Sequence, residues 1–192
     1  MVMAMVVLMG GMVSGTIAWL ISESPTLVNT FTYGDIDIGL SETPTVDGDD
    51  DPNTNEYVMI PGKAIAKDPK VTVYAGSETT WLFVKLEESA NFADFMTYEI
   101  ADGWTALTGA PGVYYRKVDK SDVDVEFYVL KDNQVQVKES VTREMLAALE
   151  TTPKPQLSVT AYAVQYDETI ETISKPETAW ALVQNENSQI TP

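Results

Sequence analysis

Asp122-Val-Asp-Val-Glu-Phe-Tyr-Val-Leu130 alternates acidic and apolar side chains almost one for one. On an extended chain Val123, Val125, Phe127 and Val129 fall on one face, and Asp122, Asp124 and Glu126 on the other. Successive side chains of a strand point to opposite faces, so this period of two predicts a β-strand with one face in a core and one in water. Gln134-Val-Gln-Val-Lys138 repeats the pattern, and Lys131-Asp-Asn133 between them has the composition of a hairpin turn.

Working outward, Thr80-Trp-Leu-Phe-Val-Lys-Leu-Glu87 is apolar on both faces at its centre, as a strand covered from two sides would be. Val71 and Val73, with Thr72 and Tyr74, predict a short strand, and Leu157, Val159, Ala161 and Ala163 line one face of a longer one reaching Tyr166. Helical periodicity is confined to two places. Val141, Met145, Leu146 and Leu149 form one stripe ahead of Pro153 and Pro155, and Ser174-Lys-Pro-Glu177 has capping-box spacing before Trp180 and Val183. Trp180 is expected to cover one end of the core. Residues 185–192 lack periodicity and are expected to form a flexible tail. The sum is an all-β fold, a two-sheet sandwich of jelly-roll or Greek-key kind with a few short peripheral helices, over residues 29–184.

The chain has 192 residues, 44% of them hydrophobic, enough for one core of ordinary size. Cys and His are both absent. That removes disulfide stapling, thiolate nucleophiles, His-based acid–base catalysis and the usual zinc ligands together. Carboxylate pairs of the kind that cleave glycosides cannot be singled out among 29 acids, so no catalytic residue is assigned. The net charge of −17 opposes binding to nucleic acid. Its distribution is uneven. Glu23, Asp35, Asp37, Glu42, Asp47, Asp49, Asp50, Asp51 and Glu56 all precede the first basic residue, Lys63, leaving an acidic field without a local counter-charge.

The stretch Asp47-Gly-Asp-Asp-Asp-Pro-Asn-Thr-Asn-Glu56 lies in a loop over residues 43–55 and superficially matches a calcium loop. Pro52 stands where the EF-hand needs Gly, and Val58 where it needs Glu, so weak Ca²⁺ binding is the most this segment supports. No cofactor and no metal ligand are assigned. Trp81, Phe83, Trp104, Tyr114, Tyr115 and Trp180 could stack on sugars, but in a sandwich such rings more often fill or cover the core.

The chain opens with an uncharged Met- and Val-rich run, residues 1–13, followed by Ser14-Gly-Thr-Ile-Ala18. An apolar run of this length with Thr16 and Ala18 at the small-residue places predicts a signal peptide, residues 1–18, cleaved between Ala18 and Trp19. A permanent membrane helix needs about 20 predominantly apolar residues, and Gly10, Gly11 and Gly15 weaken that reading. A pilin-like helix would continue amphipathically where Pro25 and β-patterned sequence follow. The missing basic residue ahead of the run departs from an ordinary signal. Residues 19–28, with Trp19, Leu20, Ile21, Leu27 and Val28, would then form a partly apolar arm without a hairpin partner, a candidate donor strand.

Gly15-Thr-Ile-Ala-Trp-Leu20 with Val28-Asn-Thr-Phe-Thr-Tyr-Gly-Asp-Ile-Asp-Ile38, then Tyr57-Val-Met-Ile-Pro-Gly-Lys63, Lys67-Asp-Pro-Lys-Val-Thr-Val73, Trp81-Leu-Phe-Val-Lys-Leu86, Ala161-Tyr-Ala-Val-Gln165 and Ala179-Trp-Ala181 follow one another along most of the chain. In that order and spacing they resemble the TasA and camelysin family of secreted biofilm-matrix proteins. The resemblance implies a signal cut by a SipW-type signal peptidase, and a jelly-roll subunit of extracellular matrix or cell surface. It also implies a homo-polymeric fibre, built by donating an N-terminal segment to a neighbour, with minor matrix subunits as companions. It leaves two alternatives. One is a camelysin-like surface metallopeptidase, which the lack of His opposes; the other is a monomeric surface adhesin.

Overall fold

The computed structural model describes residues 21–24, 36–43 and 57–190, with backbone alone for 21–24 and 186–190. It is an all-β sandwich of antiparallel strands with few helices. The largest sheet has five strands. β1 (Ile21–Ser24) lies at one edge, followed across the sheet by β11 (Leu157–Gln165), β5 (Thr80–Glu88), β8 (Val113–Val118) and the two-residue edge strand β7 (Thr105–Ala106). Two three-stranded sheets form the second layer. One runs β2 (Ile38–Ser41), β4 (Lys70–Val73), β9 (Val125–Tyr128), and the other β3 (Ala64–Ala66), β10 (Gln134–Val137), β6 (Met96–Thr97). They abut through a single bridge between Ile100 and Leu130, closed by Lys131 N–H to Glu99 O at 2.9 Å and Ala101 N–H to Val129 O at 3.0 Å.

Alternation along each strand sorts the core. Leu82, Val84, Leu86, Ala161 and Ala163 of the large sheet meet Ile38, Val71, Val73, Val129 and Val135 of the second layer. Phe83, Tyr162 and Val164 point the opposite way, against Ala179, Trp180 and Val183 of α3 (Pro176–Ile190). The two-sided apolarity of residues 80–87 is thus satisfied by sheet on one side and helix on the other. A third cluster joins Phe95 of α1 (Phe92–Phe95), Val137 and Val141 to Met145 and Leu146 of α2 (Arg143–Ala148). There Thr142 caps the helix, its Oγ1 accepting Met145 N–H at 3.3 Å, and Val141 packs beside Leu146 as a hydrophobic staple.

Several expectations are corrected. Lys131-Asp132-Asn133 is a 3₁₀ turn with Asp132 and Asn133 both at φ 54°, but it does not join a hairpin, because β9 pairs with β4 whereas β10 pairs with β3 and β6. Val123 is 68% exposed: β9 begins only at Val125, and Ser121 Oγ holds Val123 in a turn through bonds to its N–H and carbonyl. Pro176, and not a Ser174–Glu177 box, opens α3, since Ser174 Oγ bonds Glu171 O and Lys175 O accepts the Ala179 N–H. The helix then runs on to Ile190, so residues 185–190 are helical where a flexible tail was expected. No Gly or Pro interrupts them. Among the described residues no helix is long and apolar enough to cross a membrane.

Candidate functional site at the edge of the large sheet

β11 has two unequal flanks. On one side it pairs with β5 over its whole length, from Leu157 opposite Glu88 to Gln165 opposite Thr80. The ladder continues past both ends through Ser89 N–H to Gln156 O at 2.9 Å and Tyr166 N–H to Thr79 O at 2.8 Å. Thr80, fully buried, adds an Oγ1–H bond to Val164 O at 2.7 Å. On the other side the described residues pair four positions, Ile21 opposite Val164, Ser22 opposite Ala163, Glu23 opposite Tyr162 and Ser24 opposite Ala161. Among the described residues no strand pairs with 157–160 on that side. Ala161, Ala163 and Val164 are fully buried and Tyr162 nearly so. Their backbone groups therefore need strand partners, because water cannot reach them.

Of the sequence-based site residues, Ile21 falls in β1, which has no hairpin partner, as expected of the arm, but pairs with the distant β11 of its own chain. The physical reason is that β11, buried from Ala161 to Val164, takes β1 as the strand on the flank that β5 does not cover. Ala18, Trp19, Leu20, Leu27 and Val28, and so the cleavage site and the rest of the donor segment, lie outside the described residues. So does the calcium-like stretch 47–56. The sequence reading gave no partner strand for residues 21–24, which the structure pairs with β11. The signal available was the unbroken apolar run Ala161-Tyr-Ala-Val164, buried on two faces, in a strand with no adjacent hairpin partner.

The acidic field is less isolated than its sequence suggests. Glu42 receives Lys67 Nζ at 3.0 Å and the Tyr57 hydroxyl at 2.6 Å, so part of the base-free third is neutralised by later residues. Beside it Ser41, Glu42, Thr43, Asp68, Lys70 and Tyr128 line a polar hollow of about 270 Å³. Its groups are mutually engaged, with Thr43 N–H and Oγ1–H both on the Asp68 carboxylate and Lys70 on Glu126. Among the described residues no three Asp, Glu, His or Cys side chains are grouped to hold a metal ion.

The aromatics are occupied by the fold. Trp81 donates its indole N–H to Ile173 O at 3.0 Å and meets Tyr115 and Tyr166 edge-on. Phe83 and Tyr162 both stand 5.3 Å from Trp180, centroid to centroid. Trp104 donates to Tyr128 O at 2.9 Å, and Tyr114 packs against the main core. Comparison with protein-family models, with curated proteins and with solved structures finds no match to this chain.

Proposed function

We propose that this chain is a secreted structural subunit, a jelly-roll-type sandwich that polymerises into extracellular matrix fibres by giving its N-terminal arm to a neighbour. The observation that carries the reading is the strand order β1-β11-β5, in which β11, zipped to β5 along all nine residues, takes its other neighbour from the N-terminal arm, with four described residues paired. A short edge strand near the N-terminus is the element most easily exchanged. The same main-chain bonds form whether it comes from the same chain or from another, so exchange costs little enthalpy and is governed by effective concentration. The arm bound in cis covers the edge in a single molecule. In trans it extends the sheet from copy to copy. Release from a membrane-inserted leader at Ala18 would free the arm, making processing the step that licenses assembly.

Cysteine placement tests this cleanly, because the natural chain has none. Ser22 stands opposite Ala163 in the ladder. Ser22→Cys protein mixed with Ala163→Cys protein should give a disulfide-linked heterodimer on mild oxidation, and the double variant a ladder of covalent oligomers. Only intramolecular closure in the double variant, with no heterodimer in the mixture, would contradict exchange.

A further inference from the structure

Arg116 lies on β8, on the same strand face as Tyr114 and Val118, which pack into the main core. Its guanidinium carbon stands 3.8 Å from the centroid of the Phe127 ring and 5.3 Å from that of Trp104. Gly103, at φ +86°, makes room for it: a Cβ there would meet Arg116 Nη2 at 2.9 Å. The Trp104 wall is fixed by its own bond to Tyr128 O. Within this cradle Arg116 forms no hydrogen bond or ion pair with any described residue, and its Nε is buried without an acceptor. Burial pulls its pKa below the ordinary value, with no carboxylate near enough to oppose the shift. Lys120 and Lys131, by contrast, reach acids at the surface, Glu78 and Glu99, both at 2.6 Å.

With its faces stacked and Nε buried, the Arg116 guanidinium has Nη1 and Nη2 left for a planar acceptor, and a carboxylate matches that pair with two parallel N–H···O bonds. The abundant source is the chain itself. Acids outnumber bases 29 to 12, and those ahead of Lys63 have no base among them. The edges complement this. β1, which belongs to that base-free segment, lies at one edge of the large sheet, and β8 lies beside β7 at the other. A contact joining opposite edges of one sheet is head-to-tail, so it propagates instead of closing.

We infer that Arg116, cradled by Gly103, Trp104 and Phe127, is a receptor for a carboxylate of a second copy of this chain, taken from the base-free segment that precedes Lys63. The inference rests on the polymerising reading. The probe is a synthetic peptide of residues 44–56, which carries Asp47, Asp49, Asp50, Asp51 and Glu56, against the same peptide with those acids as amides. The readouts are the Trp104 indole N–H resonance of the intact chain, assigned with Trp104→Phe, and the protein concentration at which assembly begins. The acidic peptide should shift the resonance saturably and delay assembly, and the amide peptide should do neither. Arg116→Gln should abolish the shift and raise the assembly threshold about tenfold, and Arg116→Lys, which keeps charge without the fork, should fall between. An unchanged threshold in folded Arg116→Gln overturns the inference and leaves the polymerising reading standing. Absence of any wild-type assembly overturns both. If Arg116→Gln does not fold, the wild-type peptide titration decides. A shift supports the inference, and no shift, or one that sodium acetate reproduces without delaying assembly, overturns it.

Discussion

Gly112 and Gly109 both sit in the left-handed region, at φ +77° and +80°, but what surrounds them differs. A Cβ on Gly112 would stand 2.5 Å from Leu86 O, a backbone atom of β5 whose residue also donates its N–H to Gly112 O, whereas a Cβ on Gly109 would meet nothing within 4 Å. Gly109→Ala should therefore cost only the left-handed penalty, about 1 kcal/mol, and Gly112→Ala about 2–4 kcal/mol, read as the difference in urea midpoints. Tyr98 supplies a pH test. Burial first, and then the carboxylate of Glu88, which accepts its hydroxyl at 2.9 Å, push its phenol pKa far above the ordinary 10.0. The folded state holds that proton while the unfolded state releases it near 10.0, so stability is intact below that pH and falls as pH rises beyond it. Tyr98→Phe should lose less stability than wild type between about pH 9 and 11 in parallel urea titrations; equal losses would contradict the assignment. Neither effect was legible from the sequence, because each depends on what chain folding brings alongside.

At the scale of elements, the legible features were those written in period. Residues 80–87 declared a strand covered from both sides, and Gln134–Val137 and Leu157–Gln165 declared faces that the sheets confirm. What covers them was not legible. α3 seals the outer face of β5 and β11 with Trp180, only 6% exposed, against Phe83 and Tyr162. Trp180→Ala should destabilise the fold by about 3–5 kcal/mol, measured by chemical denaturation, because the sheet cannot close over the lost ring. The turn at 131–133 shows the limit from another side. A polar turn between two alternating runs reads as a hairpin, but its left-handed residues Asp132 and Asn133 redirect the chain from one small sheet to the other. Local composition sets the bend, and packing sets which neighbour each strand meets.

For the whole molecule, charge and edge pull in opposite directions. Copies carrying −17 each repel, while exchange of the arm that pairs with β11 would add a strand from copy to copy. Added salt or calcium, or acidification toward the isoelectric point near 4.1, should hasten assembly of the processed chain, followed by light scattering. Insensitivity to all three would mean that charge does not limit association. Composition and period made the sandwich legible; the pairing of β1 with β11 and the Arg116 cradle were not, because each is built from residues far apart in the chain. The arm carries the central claim, so the most direct measurement is electron microscopy of purified protein spanning residues 29–192, beside the intact chain from Trp19 onward. The deleted form should stay folded and yield no fibres under conditions where the intact chain forms them, whereas fibres of normal appearance from the deleted form would contradict the account.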